Sequence, residues 1–307
     1  MSEILLEVKS LYKSFEDVDA VSDVSFVIHK GESVGIVGES GCGKSTTARV
    51  ISGLEKPTYG EIRFRGEKYT LKPGKGPCKI NMVFQDPIAS FDGRMTVFAS
   101  LYEALSFTKK ISKKDAVPVI RNALKTVELP ESYIDRRISQ LSGGECQRIG
   151  IARAVLTEPE LLICDEATSA LDVSVQAQII HLLSELKEQN HYTYLFISHD
   201  LALVAGMCNR VLVMYRGRLV EEGNTEDVLK APMHPYTRLL LSCGDAFALE
   251  DDGTVSALPE VPERLDDREG TCPFYPFCTE RKPECAGVLP ELRDFGNGHR
   301  VACHRLR

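Results

Sequence analysis

The stretch Gly38-Glu-Ser-Gly-Cys-Gly-Lys44-Ser45 follows a short apolar strand, residues 33–37, and precedes a segment with helical spacing, residues 44–51. It fits the pattern G-x-x-x-x-G-K-[ST], in which glycines let backbone N–H groups curl around a phosphate at a helix N-terminus. Lys44 can then reach the β and γ phosphates, and the Ser45 hydroxyl can ligate Mg²⁺. The sequence therefore predicts a nucleotide site carried by a strand, a loop and a helix.

Two carboxylates, Asp165 and Glu166, follow a second apolar run, residues 161–164. An acidic side chain at the end of a buried strand can hold Mg²⁺ beside a phosphate loop, and a second one can orient or deprotonate an attacking water. Taken alone, an acidic pair in this position is most often a solvated strand end. The phosphate loop upstream favours the functional interpretation, with Asp165 on the metal and Glu166 on the water.

A third motif, Leu141-Ser-Gly-Gly144-Glu-Cys-Gln-Arg148, opens a predicted helix over 147–156. Free N–H groups and a hydroxyl at a helix start suit an anion, although an ordinary N-cap produces the same pattern. Here the chain resembles the ATP-binding cassette (ABC) ATPases, whose LSGG signature motif it matches. Glu145 and Cys146 stand where glutamine is usual in that family, and we interpret both as tolerated.

The resemblance covers residues 4–230 and gives further side chains a role by motif order. Gln85 resembles the Q-loop glutamine, residues 169–172 the D-loop, His199 the switch histidine that senses the γ-phosphate, and Phe15 the aromatic residue that stacks on adenine. The resemblance thus implies Glu166, His199, Lys44 and Gln85 as catalytic residues and Ser45, Gln85 and Asp165 as Mg²⁺ ligands. It implies nucleotide contacts from Phe15, Gly38, Ser40, Gly41, Cys42, Gly43, Lys44, Ser45, Thr46, Gln85, Ser142, Gly143 and Gly144.

The implied fold class is α/β, a P-loop NTPase with a RecA-like core, an antiparallel β subdomain and a helical insertion. Apolar and polar residues alternate over 24–28 as in a half-buried strand, and helical spacing dominates about residues 90–155, the expected helical subdomain. We expect residues 1–245 to form the ABC nucleotide-binding domain. Residues 246–307 would form a small Cys-rich extension, acidic and loop-like in its first part, 246–270.

Four of the ten cysteines lie in that extension, at Cys272, Cys278, Cys285 and Cys303. Their spacing, C-x5-C-x6-C-x17-C, differs from the short knuckles of structural zinc sites. A segment with so few aliphatic residues needs a staple to fold, so four thiolates on one metal centre are the natural inference.

The stretch His234-Pro-Tyr-Thr-Arg-Leu-Leu, together with these cysteines, is similar to the C-terminal extension of ATPase subunits of oligopeptide, dipeptide and nickel importers. That resemblance implies a four-iron, four-sulfur (4Fe-4S) cluster, with Zn²⁺ and incidental thiols as alternatives. His299 and His304 could compete as ligands, but we interpret them as surface histidines.

Composition restricts the partners. The 307 residues carry 37 Lys and Arg against 44 Asp and Glu, a net charge of −7, which argues against nucleic acid as a partner through a basic surface. The sequence has no apolar run of the ~18 to 20 residues that a membrane span needs, and no export signal. Attachment to a membrane would therefore run through another protein.

The family resemblance implies an ATP-hydrolysing subunit of an importer for oligopeptides or dipeptides, peripheral on the cytoplasmic face of the cell membrane. Its implied partners are a second ABC ATPase subunit, a copy or a related chain, paired head to tail, and two transmembrane permease subunits. An external substrate-binding protein would act indirectly. The alternatives are a nickel or metal-chelate importer of the same family, a soluble cassette ATPase that does not drive transport, and a regulatory module.

Overall fold

The computed structural model describes residues 3–16, 18–69, 79–167, 171–190, 192–245 and 271–306. Within them the chain forms two β-sheets with helices packed against them. The strands are β1 Ile4–Phe15, β2 Val18–His29, β3 Ser33–Val37, β4 Tyr59–Phe64, β5 Glu67–Lys68, β6 Ile80–Val83, β7 Leu161–Asp165, β8 Thr193–Ser198, β9 Arg210–Tyr215, β10 Arg218–Asn224, β11 Arg293–Asp294 and β12 Arg300–Val301.

The smaller sheet is antiparallel, in the order β2-β1-β4-β5. Val8 of β1 pairs with Phe26 of β2 on one side and with Ile62 of β4 on the other, and all three side chains are buried. One face of this sheet therefore packs on the core, as the alternating pattern predicted.

The larger sheet has the order β11-β12-β10-β9-β3-β8-β7-β6 among the described residues. Strands β9, β3, β8, β7 and β6 run parallel, and β10 returns antiparallel to β9 through a turn at Gly217. Every residue of β7 and β8 is buried, since helices cover both faces of a parallel sheet. The carboxyl ends of β3, β8, β7 and β6 consequently meet at one edge, where α/β sheets bind ligands.

Helices α2 Val97–Thr108, α3 Lys113–Thr126 and α4 Gly143–Val155 form the helical insertion. Thr96 and Ser112 cap α2 and α3 with their hydroxyls, and Leu101, Ile120 and Ile149 pack in the centre with no exposed surface. The α/β fold class, with its antiparallel subdomain and helical insertion, is confirmed. The helices are α1 Lys44–Ile51, α2 Val97–Thr108, α3 Lys113–Thr126, α4 Gly143–Val155, α5 Val173–Asn190, α6 Leu201–Met207, α7 Thr225–Lys230 and α8 Pro235–Asp245. Across the described ranges, no helix has both the length and the apolarity to cross a bilayer.

Helix α4 begins at Gly143, four residues before the predicted start at Gln147. The reason is a capping box. The Ser142 hydroxyl accepts a hydrogen bond from the Glu145 N–H, and the Glu145 carboxylate accepts one from the Ser142 N–H. The unusual Glu145 is thus a capping residue, and Cys146 is buried behind it.

The C-terminal residues 271–306 add to the edge of the large sheet. Strand β12 pairs antiparallel with β10, with Val301 opposite Glu221, and the Ala302 N–H donates to the Val220 carbonyl at 2.8 Å. Residues 271–306 have few aliphatic side chains, and the segment compensates for this shortage by packing on the hydrophobic core of the cassette. The stretch expected to be acidic and loop-like, 246–270, lies outside the described residues.

Candidate functional site

The phosphate loop connects β3 to α1 and holds Lys44 in a buried position. The Lys44 Nζ donates hydrogen bonds to the Gly38 carbonyl at 2.8 Å and to the Glu39 carbonyl at 2.7 Å, and only 4% of the residue is exposed. A buried ammonium bonded to neutral carbonyls carries an uncompensated charge, which favours an anion nearby. This is the local chemistry that a triphosphate requires.

Two glycines make this loop possible. Gly38 and Gly43 have φ angles of 152° and 102°, in the region that glycine alone adopts easily. A Cβ on Gly38 would lie 2.2 Å from the Met214 carbonyl oxygen, and one on Gly43 would lie 2.2 Å from the Ala20 carbonyl oxygen. The loop is therefore packed directly between backbone segments of β9 and β2.

Ser45 and Asp165 meet at the start of α1 and the end of β7. The Ser45 hydroxyl donates to Asp165 Oδ1 at 2.8 Å. Burial raises the pKa of the Asp165 carboxyl, and the hydrogen bond from Ser45 opposes that shift. Hydroxyl and carboxylate oxygens side by side are the hard ligands that Mg²⁺ prefers, so this donor set fits the ion.

Glu166 follows β7 in a left-handed backbone conformation, φ 43°, held by a hydrogen bond of 2.9 Å from its N–H to the Ile197 carbonyl. Its carboxylate meets two of the predicted side chains. Gln85 Nε2 donates to Oε2 at 2.7 Å, and His199 Nδ1 lies 3.6 Å from Oε1. Four strand ends thus bring Lys44, Ser45, Gln85, Asp165, Glu166 and His199 to one edge of the sheet.

The other predicted residues of the loop differ in exposure. Ser40 and Gly41 are exposed, and Thr46 is half-buried. Cys42 is buried, with its Sγ 3.8 Å from Lys44 Nζ, and burial raises the pKa of its thiol.

Phe15 ends β1 with 42% of its surface exposed, and Lys13 Nζ lies 4.5 Å from its ring centroid. It pairs with Val18 at the start of β2, the strand whose Ala20 carbonyl packs against Gly43. The ring is therefore partly exposed, and its stacking role stays a prediction.

The signature-motif residues Ser142, Gly143 and Gly144 contact helices α4 and α5 of the same chain. The Ser142 hydroxyl caps α4, and a Cβ on Gly144 would lie 2.7 Å from Val175 of α5. The structure does not bring these three residues into the cluster around Lys44, so their contact with nucleotide stays a prediction. Of the predicted D-loop, residues 169 and 170 lie outside the described ranges, while Asp172 caps α5 by accepting from the Val175 N–H at 3.0 Å.

The four C-terminal cysteines line one partly open cavity, together with Phe274 and His304. All four are free thiols. Burial, with smaller contributions from the neighbouring Cys303, Cys278 and Cys285, raises the pKa of Cys272 to about 11. Nowhere in the described residues, however, are three or more His, Cys, Asp or Glu side chains arranged to hold a metal ion.

The assignment of His299 as a surface histidine was wrong. It is 9% exposed, and its Nε2 lies 2.7 Å from Oε1 of Glu221, a carboxylate on β10 with no exposed surface. The Glu221 carboxylate also accepts from the Met233 N–H at 2.8 Å and the His234 N–H at 2.9 Å. The sequence gives no signal for this buried cluster around Glu221, because the residues that form it are far apart along the chain and follow no motif.

A second contact that the sequence does not signal joins the phosphate loop to α8. The Glu39 N–H donates to the Tyr236 hydroxyl at 2.9 Å across a separation of 197 residues. The stretch that contains Tyr236 is recognisable in the sequence, but its contact with the loop depends on the tertiary fold.

Comparison with protein families gives two matches along the chain. A family described as ABC transporter matches residues 21–169, and one described as oligopeptide/dipeptide transporter, C-terminal region, matches residues 220–285.

The chain is similar over nearly its whole length to curated proteins. It is 40% identical to the oligopeptide transport ATP-binding protein AppF of Bacillus subtilis, covering 98% of this chain and 97% of that protein. It is 40% identical to the oligopeptide transport ATP-binding protein OppF of Escherichia coli, covering 99% of this chain and 97% of that protein. It is 35% identical to the dipeptide transport ATP-binding protein DppF of Haemophilus influenzae, covering 97% and 92%.

Solved structures share the fold of the cassette. CbiO1 of Clostridium perfringens, part of an ABC transporter complex, superposes with a TM-score of 0.65 at 28% identity, covering 75% of this chain and 92% of that one. The dimeric cassette MJ0796, in a post-hydrolysis state with ADP and Pi, superposes with a TM-score of 0.64 at 29% identity, covering 72% of this chain and 99% of that one. With these matches and the cluster at the sheet edge, this chain belongs to the ATP-binding subunits of the oligopeptide and dipeptide ABC transporters.

Proposed function

We propose that this protein hydrolyses ATP as one of two ATP-binding subunits that energise peptide import through membrane-embedded permease subunits. The observation that carries the proposal is the convergence of one buried ammonium, two carboxylates, an amide and an imidazole on a phosphate loop. Full-length similarity to oligopeptide transport ATP-binding proteins supports the same conclusion.

Ser45, Gln85 and Asp165 would hold Mg²⁺, which when bound neutralises charge on the phosphates. The Ser45 hydroxyl and the Asp165 carboxylate are already adjacent, so little rearrangement is needed to present both oxygens to the ion. Lys44 is desolvated and can exchange its carbonyl acceptors for phosphate oxygens.

Glu166 would act as the general base. Its carboxylate accepts the proton of the water that attacks the γ-phosphorus, while the bond from that phosphorus to the β-γ bridging oxygen breaks. Gln85 fixes one carboxylate oxygen, which leaves the other directed toward His199. His199 is 61% exposed in its side chain and is free to hold the γ-phosphate from the solvent side.

The partner subunit would complete the site. Ser142, Gly143 and Gly144 lie outside the Lys44 cluster of their own chain, as expected of groups that act on the nucleotide of a second cassette paired head to tail. Closure of this dimer on ATP and its reopening after hydrolysis would move the attached permease subunits. The external substrate-binding protein would deliver the cargo from the other side of the membrane.

Peptides are the proposed cargo. The C-terminal family match, residues 220–285, is described as oligopeptide/dipeptide transporter, and the relatives compared above bear oligopeptide or dipeptide transport names. These comparisons favour peptides over nickel or metal chelates.

We further propose that Cys272, Cys278, Cys285 and Cys303 hold a 4Fe-4S cluster. Four thiols around one cavity form the donor set that such a cluster uses. A single Zn²⁺ would need its thiolates at about 2.3 Å from the ion. A cluster of iron and sulfide is larger than one ion, so its ligands stand farther apart.

The transport proposal is tested by isolating the tagged protein from its native membrane and reconstituting the assembly in vesicles. We expect two permease subunits and a second cassette to accompany it, and peptide with the binding protein to stimulate ATP hydrolysis. Co-sedimentation with ribosomes, or stimulation by nickel chelates alone, would refute it.

The cluster proposal is tested by purification without oxygen. We expect a brown protein with about four iron and four sulfide per chain. Cys278→Ser should abolish the colour, whereas Cys208→Ser, at a buried cysteine outside the cavity, should not. A colourless protein with one zinc per chain would overturn the assignment.

A further inference from the structure

The phosphate loop is held from outside by a side chain of α8. Tyr236 is 3% exposed, and its hydroxyl accepts the Glu39 N–H at 2.9 Å. The loop otherwise consists of glycines and small polar residues, which have many backbone conformations available. Because the buried Tyr236 hydroxyl accepts from the Glu39 N–H, it restricts the backbone conformations available to the loop.

Tyr236 and Lys44 hold the two ends of a single peptide group. The peptide between Gly38 and Glu39 has the Gly38 carbonyl at one end, which accepts from Lys44 Nζ at 2.8 Å, and the Glu39 N–H at the other, which donates to Tyr236. Because a peptide group is planar, its carbonyl and N–H rotate together. The orientation that Tyr236 imposes on the N–H is therefore imposed on the carbonyl that positions the Lys44 ammonium.

Aromatic contacts connect the Tyr236 ring to the Cys-rich segment. Its centroid lies 4.5 Å from that of Tyr215 on β9 and 5.5 Å from that of Phe274, and the Tyr215 and Phe274 centroids are 5.4 Å apart. Phe274 is 4% exposed, and it lines the cavity between Cys272 and Cys278. One buried ring thus lies between the cysteine cavity and the side chain that holds the loop.

The start of α8 is also fixed by hydrogen bonds to backbone N–H groups. The Glu221 carboxylate accepts from the Met233 and His234 N–H groups, and the Tyr236 N–H donates to His234 Nδ1 at 3.1 Å. Tyr236 is consequently anchored at its backbone, at its ring and at its hydroxyl. Such a side chain can transmit a displacement, because it has no free rotation to absorb one.

We infer that Tyr236 is a positioning residue for the phosphate loop, and that Phe274 makes nucleotide affinity depend on the packing of the Cys-rich segment. The inference rests on the proposed function only in that MgATP must bind at this loop. By thermodynamic linkage, nucleotide must in turn stabilise the packing around Phe274.

The experiment compares Tyr236→Phe with the matched control Tyr194→Phe. Tyr194 is also buried, and its hydroxyl donates to one backbone carbonyl, that of Leu183, at 3.2 Å. We expect Tyr236→Phe to weaken MgATP binding by about 3- to 10-fold, the effect of one lost hydrogen bond, and to raise KM with kcat nearly unchanged. Hydrogen exchange of the Glu39 amide should accelerate only in Tyr236→Phe.

A double-mutant cycle with Phe274→Leu tests the link to the Cys-rich segment. Phe274→Leu should weaken MgATP binding in the wild-type background and have little further effect when residue 236 is already phenylalanine. Fully additive effects would overturn the link. Unchanged affinity and unchanged Glu39 exchange in Tyr236→Phe would overturn the positioning role, whereas wild-type protein that binds no MgATP would refute the proposed function instead.

Discussion

Gln85 and Glu166 lie on neighbouring strand ends and form a direct hydrogen bond, with Gln85 Nε2 donating to Glu166 Oε2 at 2.7 Å. The glutamine that leads toward the helical insertion therefore contacts the carboxylate assigned to water activation. A movement of the segment after β6 would act on that carboxylate through this hydrogen bond.

Replacing Glu166 by glutamine should separate binding from turnover. Glu166→Gln keeps the size of the side chain but removes the base, so turnover is expected to fall by about 10²- to 10⁴-fold with MgATP affinity retained. Steady-state ATPase rates and calorimetric titration measure the two quantities. Glu226→Gln, at an exposed carboxylate on α7, should leave both unchanged. Normal turnover in Glu166→Gln would contradict the assigned role.

Replacing Asp165 by asparagine should weaken the dependence of ATP binding on Mg²⁺. The asparagine oxygen can still accept from Ser45, so the fold is retained while the charge that attracts Mg²⁺ is lost. The gain in ATP affinity on adding Mg²⁺ is expected to fall by about 10- to 100-fold, with ATP binding in EDTA unaltered. Asp92→Asn, on the surface, serves as the control. An unchanged Mg²⁺ dependence would exclude Asp165 as a ligand.

Replacing Gly43 by alanine should disrupt the loop. The new Cβ would lie 2.2 Å from a backbone oxygen, so the loop and β2 must separate. We expect loss of MgATP binding and a lower unfolding temperature. Gly66→Ala is the matched control, because Gly66 also has a positive φ, 78°, but has nothing within 4 Å of the added carbon. It should cost about 1 kcal/mol of stability and preserve binding.

The bond between Tyr133 and Glu145 predicts a pH-dependent effect on stability. The Tyr133 hydroxyl donates to Glu145 Oε1 at 2.6 Å and is the main reason that the pKa of this carboxyl lies below its usual 4.5. Its contribution is present above pH 4.5 and is lost as the pH falls through the lowered pKa of the folded state. Tyr133→Phe should lower the urea midpoint slightly at pH 7, since the pair is solvent-screened, and by less at pH 3. An equal shift at both pH values would show that the bond does not depend on the charge.

Motif order predicted the cluster at the sheet edge because each motif ends a strand, and parallel strand ends converge. Asp165, Glu166, His199 and Gln85 could thus be placed together without knowing any distance. The tertiary contacts of the C-terminal segment could not be predicted in this way. Glu221 is an ordinary acidic residue within a strand pattern, and its partner, His299, lies 78 residues away.

Pairing of β12 with β10 also has a consequence for the growing polypeptide. During synthesis His299 leaves the ribosome 78 residues after Glu221, and over that interval the outer edge of β10 has no strand beside it. Exposed strand edges template association between chains. A nascent chain with β10 already formed is therefore open to such association in that window, and a chaperone that shields this edge would act between the emergence of the two strands.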